Sequence, residues 1–240
     1  VVLRVNSPGG SAYISEQIWK QVVELKKEKP VVVSMGNVAA SGGYYISCAA
    51  DKIVAEPGTL TGSIGIFGMF PNATGALKKL DLTTDIVKTN KYSDLGDMSR
   101  PMRSDEKALI QAYVERGYDL FISRCADGRE MTKSQIDEIG QGRVWTGEQA
   151  IKIGLVDELG GIDKAVEVAA ELADISDYSI VGVSSSQDFF QELLEKQLNE
   201  IKVSVVKNAL GNDFEYIQSL NRIRSTSGIQ ARLPYDIKPL

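Results

Sequence analysis

The spacing of apolar residues changes period along the chain. VVLRVNS, at residues 1–7, is apolar except for Arg4 and its two polar final residues, and it runs into the turn signal Ser7-Pro8-Gly9-Gly10, which predicts a buried strand. From Ala12 to Lys29 the residues Ile14, Ile18, Val22 and Leu25 recur at three- and four-residue intervals, the spacing of one helix face. Pro30 ends that pattern, and the β-branched VVVSMG predicts a second strand. Ser41 to Ala50 is short, apolar and glycine-led, as suits a buried helix, while DKIVAE reads as a third strand and GSIGIFGMF as a fourth. Strands alternating with helices predict an α/β fold, a mainly parallel sheet flanked by helices.

Helical periods dominate the second half, over Ser104 to Ala126, Thr132 to Gly140, Thr146 to Ile153 and Ile162 to Leu172. Caps are expected at Ser104, near Lys107, at Thr132 with Gln135, and at Thr146 with Gln149. A further strand is expected near Tyr178 to Val183 and an amphipathic helix over Phe189 to Val206. Arg222 to Leu240 is polar, mildly basic and proline-containing, and reads as a loosely held tail or partner-binding extension. The economical division is one α/β domain over residues 1–183 and a helical C-terminal extension with its tail over 184–240. Val31 to Ala50 carries no charge but holds Ser34, Asn37, Ser41, Ser47 and three glycines, so it predicts strand, turn and helix rather than a membrane span. The chain opens on Val within a core-strand pattern, so it is expected to be part of a longer protein whose anchor or export signal lies upstream.

Composition narrows the chemistry. The 240 residues are 43% hydrophobic and 25% charged, with a formal charge of −5, so a nucleic-acid partner is not expected. Histidine is absent, which excludes a Ser-His-Asp triad, a Cys-His dyad and HExxH zinc chemistry within this chain. Cys48 and Cys125 form no CxxC motif, and Cys48 is expected in the core. Asp94 and Asp97 could be imagined as a metal pair, but a solvated loop is the simpler reading, so no metal and no organic cofactor is implied. Trp19 and Trp145 are expected to pack on the sheet, and Phe67, Met69 and Phe70 either line a substrate pocket or pack in the core.

Two glycine-rich turns stand out, each after a β-branched strand: Asn6-Ser7-Pro8-Gly9-Gly10 and Ala39-Ala40-Ser41-Gly42-Gly43. Glycines there serve strand-to-helix geometry; they also let backbone N–H groups approach a ligand at a helix N-terminus. Side by side, the turns would hold a developing oxyanion with Ser41 as nucleophile between them. NSPGG, ASGGYY some thirty residues later, TLTGSIG, and GRVWTGEQAIKIGLVDELGG from Gly142 to Gly161 together resemble the signal peptide peptidase A (protease IV) family of serine peptidases, within the clan of ClpP and the crotonases. The resemblance spans roughly residues 1–172. It implies a ClpP/crotonase-like fold, Ser41 as nucleophile, Gly10 and Gly42 as oxyanion-hole amides, and Ser63 as a serine that hydrogen-bonds a catalytic lysine.

A serine hydroxyl needs a neighbouring base, and without imidazole lysine is the natural one. Bringing its pKa from ~10.4 to near 7 takes about three units, or roughly 4 kcal/mol, which burial can supply. Lys88 and Lys91, in DIVKTNKYS, are the candidates within this chain, near the place where single-domain relatives carry their base. VKTNKYSDLGDMSRP looks more like the serine half of a tandem member, whose lysine comes from the upstream half of the same protein. The base is therefore expected outside these residues. The same resemblance implies hydrophobic peptide substrates such as released signal peptides, a homo-oligomeric ring, and attachment to the bacterial inner membrane with the catalytic part outside the cytoplasm. Two other readings remain: a crotonase-type acyl-CoA hydratase or isomerase, against which stands the lack of glutamate in either turn, and a non-catalytic peptide-binding scaffold half.

Overall fold

The structure is a computed structural model that describes residues 1–183 and 228–232. Its strands and helices run in chain order as β1 (Val2–Ser7), β2 (Gly9–Ser11), α1 (Ala12–Lys26), β3 (Val32–Ala40), α2 (Gly42–Ser47), β4 (Lys52–Ala55), β5 (Leu60–Gly62), β6 (Phe67–Met69), α3 (Thr74–Lys79), α4 (Ser104–Arg129), α5 (Lys133–Ile139), β7 (Val144–Thr146), α6 (Gly147–Lys152), β8 (Glu158–Leu159), α7 (Ile162–Leu172) and β9 (Gly228–Arg232). Of the described residues, 1–176 and 228–232 belong to one compact unit.

β3 is the spine of the main sheet. Its beginning pairs in parallel with β1 on one edge and β4 on the other, and its end pairs with β5. β8 extends the sheet beyond β4, and β7 closes the β5 edge in the antiparallel sense. Both faces of β3 are covered, which is why buried apolar residues fall at successive positions, as in Val32-Val33 and Ala39-Ala40, rather than in alternation. Val31, Val33 and Met35 face a core built with Tyr44, Cys48, Phe121 and Cys125, while Val32 meets Val54, Ala165 and Val168 on the other face. The α/β class is as expected, and Trp19 and Trp145 pack against the core.

The differences from the expected elements have local causes. GSIGIFGMF is two strands, because Ser63 takes a left-handed backbone with φ 47° just after β5. The cap of α4 is Arg103, not Ser104: the Glu106 carboxylate accepts from the Arg103 N–H at 2.8 Å. Thr132 with Gln135 and Thr146 with Gln149 form the expected capping boxes. Residues 177–183, expected to hold a strand, are exposed and have no regular structure. Residues 228–232 fall within the expected loose tail but form β9, the middle strand of a β2-β9-β6 sheet. The helix expected over Phe189 to Val206 lies outside the described residues.

Candidate active site

Parallel pairing gathers the sequence motifs at one edge of the sheet. Ser7 pairs with Ala39 and Ala40 with Gly62, so β1, β3 and β5 end together, and each chain leaves its strand at the same place. Turns at the carboxyl ends of parallel strands are where α/β sheets build their sites. A bulge helps align them, since between Val5 and Ser7 a single residue, Asn6, stands opposite three residues of β3. Its amide oxygen accepts from the Val38 N–H at 3.2 Å, and its side chain fills the space that a Cβ on Gly36 would take.

Ser41 sits at this edge with φ 52° and ψ −115°, held by its N–H donating to the Gly62 carbonyl at 2.8 Å and its carbonyl accepting from Tyr45 at 2.8 Å. Such a backbone costs about 1–3 kcal/mol for a residue with a Cβ. Its hydroxyl oxygen is buried and has no hydrogen-bond partner among the described residues, a further cost of about 1–3 kcal/mol. The Trp19 indole N–H and the Ser99 hydroxyl are also buried without partners among the described residues, but only Ser41 adds a positive φ. Gly42 follows in a crowded place: a Cβ there would lie 3.1 Å from the Gly10 nitrogen, 2.6 Å from the Ser15 hydroxyl and 2.8 Å from the Ala231 carbonyl. Gly43 abuts Ser7, whose carbonyl would be 2.6 Å from its Cβ. The structure thus brings Gly10, Ser41 and Gly42 together.

Ser63 lies beside them, because it follows Gly62, the strand partner of Ala40. Its φ of 47° is fixed by its N–H donating to the Arg143 carbonyl at 2.7 Å, and Gly142 N–H donates to Ile64 at 2.8 Å. Tyr118 steadies the same loop, donating to Asp137 at 2.6 Å and accepting from the Gln141 N–H at 3.1 Å. Burial, reinforced by Asp137, pushes the Tyr118 phenol up to about 12. Beside Ser63 a cleft of about 500 Å³ opens, lined in part by Ile66, Phe67, Val114 and Tyr118.

β9 lies along this site. It pairs antiparallel with β2, setting Ala231 opposite Gly10, and antiparallel with β6, setting Gly228 opposite Met69. Ala231 is fully buried. Sequence reading missed Ala231, and it missed Ser15, whose hydroxyl donates to the Ser11 carbonyl one turn back and lies against Gly42. A serine on the inward face of a helix was the available signal for Ser15, and the short alternation Ile229-Gln230-Ala231-Arg232 was the one for Ala231.

The lysine candidates lie elsewhere, in a charged loop. Lys88 reaches the buried Asp94 at 3.4 Å, and Lys91, 65% exposed, reaches Asp105 at 2.7 Å. The hydrogen bond to Asp105 raises the Lys91 pKa above its ordinary value, the opposite of what a base needs. Neither amine touches Ser41. The solvated loop expected around Asp94 is a closed ion cluster instead: Arg100 bridges Asp94 at 2.8 Å and Glu106 at 2.7 Å, and Arg103 joins both. Burial alone would raise the Asp94 carboxyl, but the hydrogen bonds from Arg103 and Arg100 prevail and hold it well below the usual range. The Arg100 hydrogen bond lowers Glu106 to about 2. Among the described residues no group of three acidic or sulfur-bearing side chains is placed to hold a metal ion, and no helix is long and apolar enough to cross a membrane.

Known sequences show what this arrangement resembles. The sequence profile of peptidase family S49 matches residues 23–176. Protease 4 of Salmonella typhi is 46% identical over 193 residues, covering 80% of this chain and 30% of its own length. Protease 4 of Haemophilus influenzae is 44% identical over 187 residues, covering 75% and 30%. A chloroplastic serine protease SPPA of Arabidopsis thaliana is 34% identical over 236 residues, covering 97% and 34%. The chain spans about a third of the length of these relatives. Among solved structures, a point mutant of ClpP1 from Listeria monocytogenes covers 69% of this chain and 76% of its own, at a TM-score of 0.45 and 16% identity, a likeness too slight to bear on chemistry.

Proposed function

The chain belongs to peptidase family S49, and on that premise we propose that it is the serine-bearing part of a peptidase that works through an acyl-enzyme on Ser41. The observation that carries this reading is the Ser41 hydroxyl, buried without a partner among the described residues, on strained backbone and flanked by the two glycine turns. An extended peptide takes the place of β9 as the strand between β2 and β6, so main-chain pairing supplies affinity for many sequences. The residue opposite Gly10 presents its carbonyl to Ser41. Attack forms the Ser41–carbonyl bond, with the oxyanion held by the Gly10 and Gly42 amides, and collapse breaks the peptide bond and releases the amine. A lysine takes the hydroxyl proton and returns it to the leaving nitrogen; water then hydrolyses the ester.

The base comes from outside the described residues, in a segment of the longer protein that brings a lysine beside Ser63. Lys88 and Lys91 are held by the carboxylates of Asp94 and Asp105. Released signal peptides and similar hydrophobic segments fit the apolar cleft next to Ser63. The homo-oligomeric ring and the membrane attachment belong to this same reading. A fluorophosphonate probe on the complete protein tests it: one serine is labelled, and Ser41→Ala abolishes both labelling and peptide hydrolysis. Labelling unchanged in Ser41→Ala, or acyl-CoA binding with no labelling, overturns the reading.

A further inference from the structure

We infer that the cleft beyond the end of β6 is a distal subsite that takes an uncharged apolar side chain four or five residues upstream of the attacked carbonyl; the inference rests on the proposed strand-like binding of substrate. The register places it. Ala231 stands opposite Gly10, and Gly228, three residues upstream, stands opposite Met69, the last residue of β6. A peptide strand in this register, continued upstream by one and two residues, arrives at Phe70 and Pro71. There a cleft of about 360 Å³ opens, with Phe70, Pro71, Pro101 and Met102 among its walls, so it continues the binding groove instead of standing apart from it.

The chemistry of its walls selects the occupant. The Phe70 ring lies across two glycines: a Cβ on Gly68 would come within 2.8 Å of it and one on Gly96 within 3.9 Å. Two charged residues in the lining are already engaged, Arg100 with Asp94 and Glu106, and Asp97 with the Ser99 N–H at 2.7 Å. What they leave for a ligand is the apolar wall, the Asn72 amide, whose oxygen already accepts from Thr74, and the exposed Lys107 ammonium, offset by the Asp97 carboxylate, which keeps its charge. The preferred peptide carries Leu or a similar residue there, ahead of Ser and Lys.

The test uses three fluorescein-labelled peptides, identical except for Leu-Leu, Ser-Ser or Lys-Lys at the fifth and sixth residues upstream of the cleaved bond, which are the fourth and fifth beyond the residue that bears the attacked carbonyl. On the complete protein, kcat/KM for the Leu peptide should exceed that for the Ser peptide by about tenfold, the gain for burying part of a leucine side chain. In Phe70→Ala and in Met102→Ser the ratio should fall to about twofold; a ratio within one protein is insensitive to partial unfolding of a variant. Anisotropy on the complete Ser41→Ala protein reads the same ranking as affinities without turnover. Equal rates and affinities for the three peptides, or a Leu preference unchanged in both variants, overturns the subsite. Hydrolysis persisting in Ser41→Ala overturns the nucleophile assignment instead, so the two failures are told apart.

Discussion

The carboxyl edge of the sheet and the charged loop over residues 81–103 treat their polar groups in opposite ways. In the loop, buried charges are matched: Asp94 and Glu106 each accept from Arg100, and Arg103 ties in both. At the sheet edge, Ser41 is buried with no partner among the described residues and bent into a backbone that serines avoid. A fold under selection for stability alone pairs its buried charges, as the loop does, although the Ser99 hydroxyl there is also without a partner among the described residues. Of the described residues with an unpartnered buried polar atom, Ser41 alone also has a positive φ, and that combination carries the proposed function, while the matched charges form a brace. The lesson applies to the lysines as well, since an amine already paired with a carboxylate is a poor base.

Four changes break or sharpen that contrast, in falling order of effect. Gly42→Ala should lower kcat of the complete protein by about 100-fold, because the new methyl displaces one of the proposed oxyanion amides, with KM changed far less; steady-state kinetics on a peptide substrate check it. Ending the protein at residue 227 removes β9 from beside Gly42 and should raise the rate of fluorophosphonate labelling several-fold, read by gel fluorescence. Glu106→Gln should leave peptide kcat within about twofold yet lower the melting temperature by several degrees, since Arg100 and Arg103 lose their buried anion. The brace also has an acid limit. The folded pKa of Glu106 is lowered from 4.5 to about 2, so its stabilisation is full above about pH 4.5 and is lost as pH falls toward 2. Unfolding of the wild type should steepen in that window, and Glu106→Gln should lack the step. Lys88→Ala and Lys91→Ala should each change kcat/KM by no more than about twofold, the smallest effect of the four.

Much of this was legible in the sequence, because it rests on local signals. The apolar run around Val32 and the helical period from Ile14 to Leu25 placed β3 and α1, and the glycine turns placed Gly10, Ser41 and Gly42 at strand ends. Their meeting was foreseeable once a parallel sheet was assumed, since parallel strands carry their following turns to one edge. Two things were not legible. Pairing of β9 with β2 joins residues more than two hundred apart, Gly9 with Arg232 among them, and the alternation Ile229-Gln230-Ala231-Arg232 is only four residues long and does not say which strand it would join. The ion cluster was hidden as well: Asp94, Arg100 and Glu106 in sequence look like solvated loop charges, and only their packing shows that each is matched.

Turnover by the 240-residue chain alone, set against turnover by the complete protein, tests most directly whether Ser41 depends on a base from elsewhere. Loss of a general base costs about 10²–10⁴-fold, so kcat/KM of the isolated chain should fall by at least about 100-fold while its melting profile shows it folded. Equal turnover by the isolated chain, abolished by Lys88→Ala or Lys91→Ala, would contradict the account.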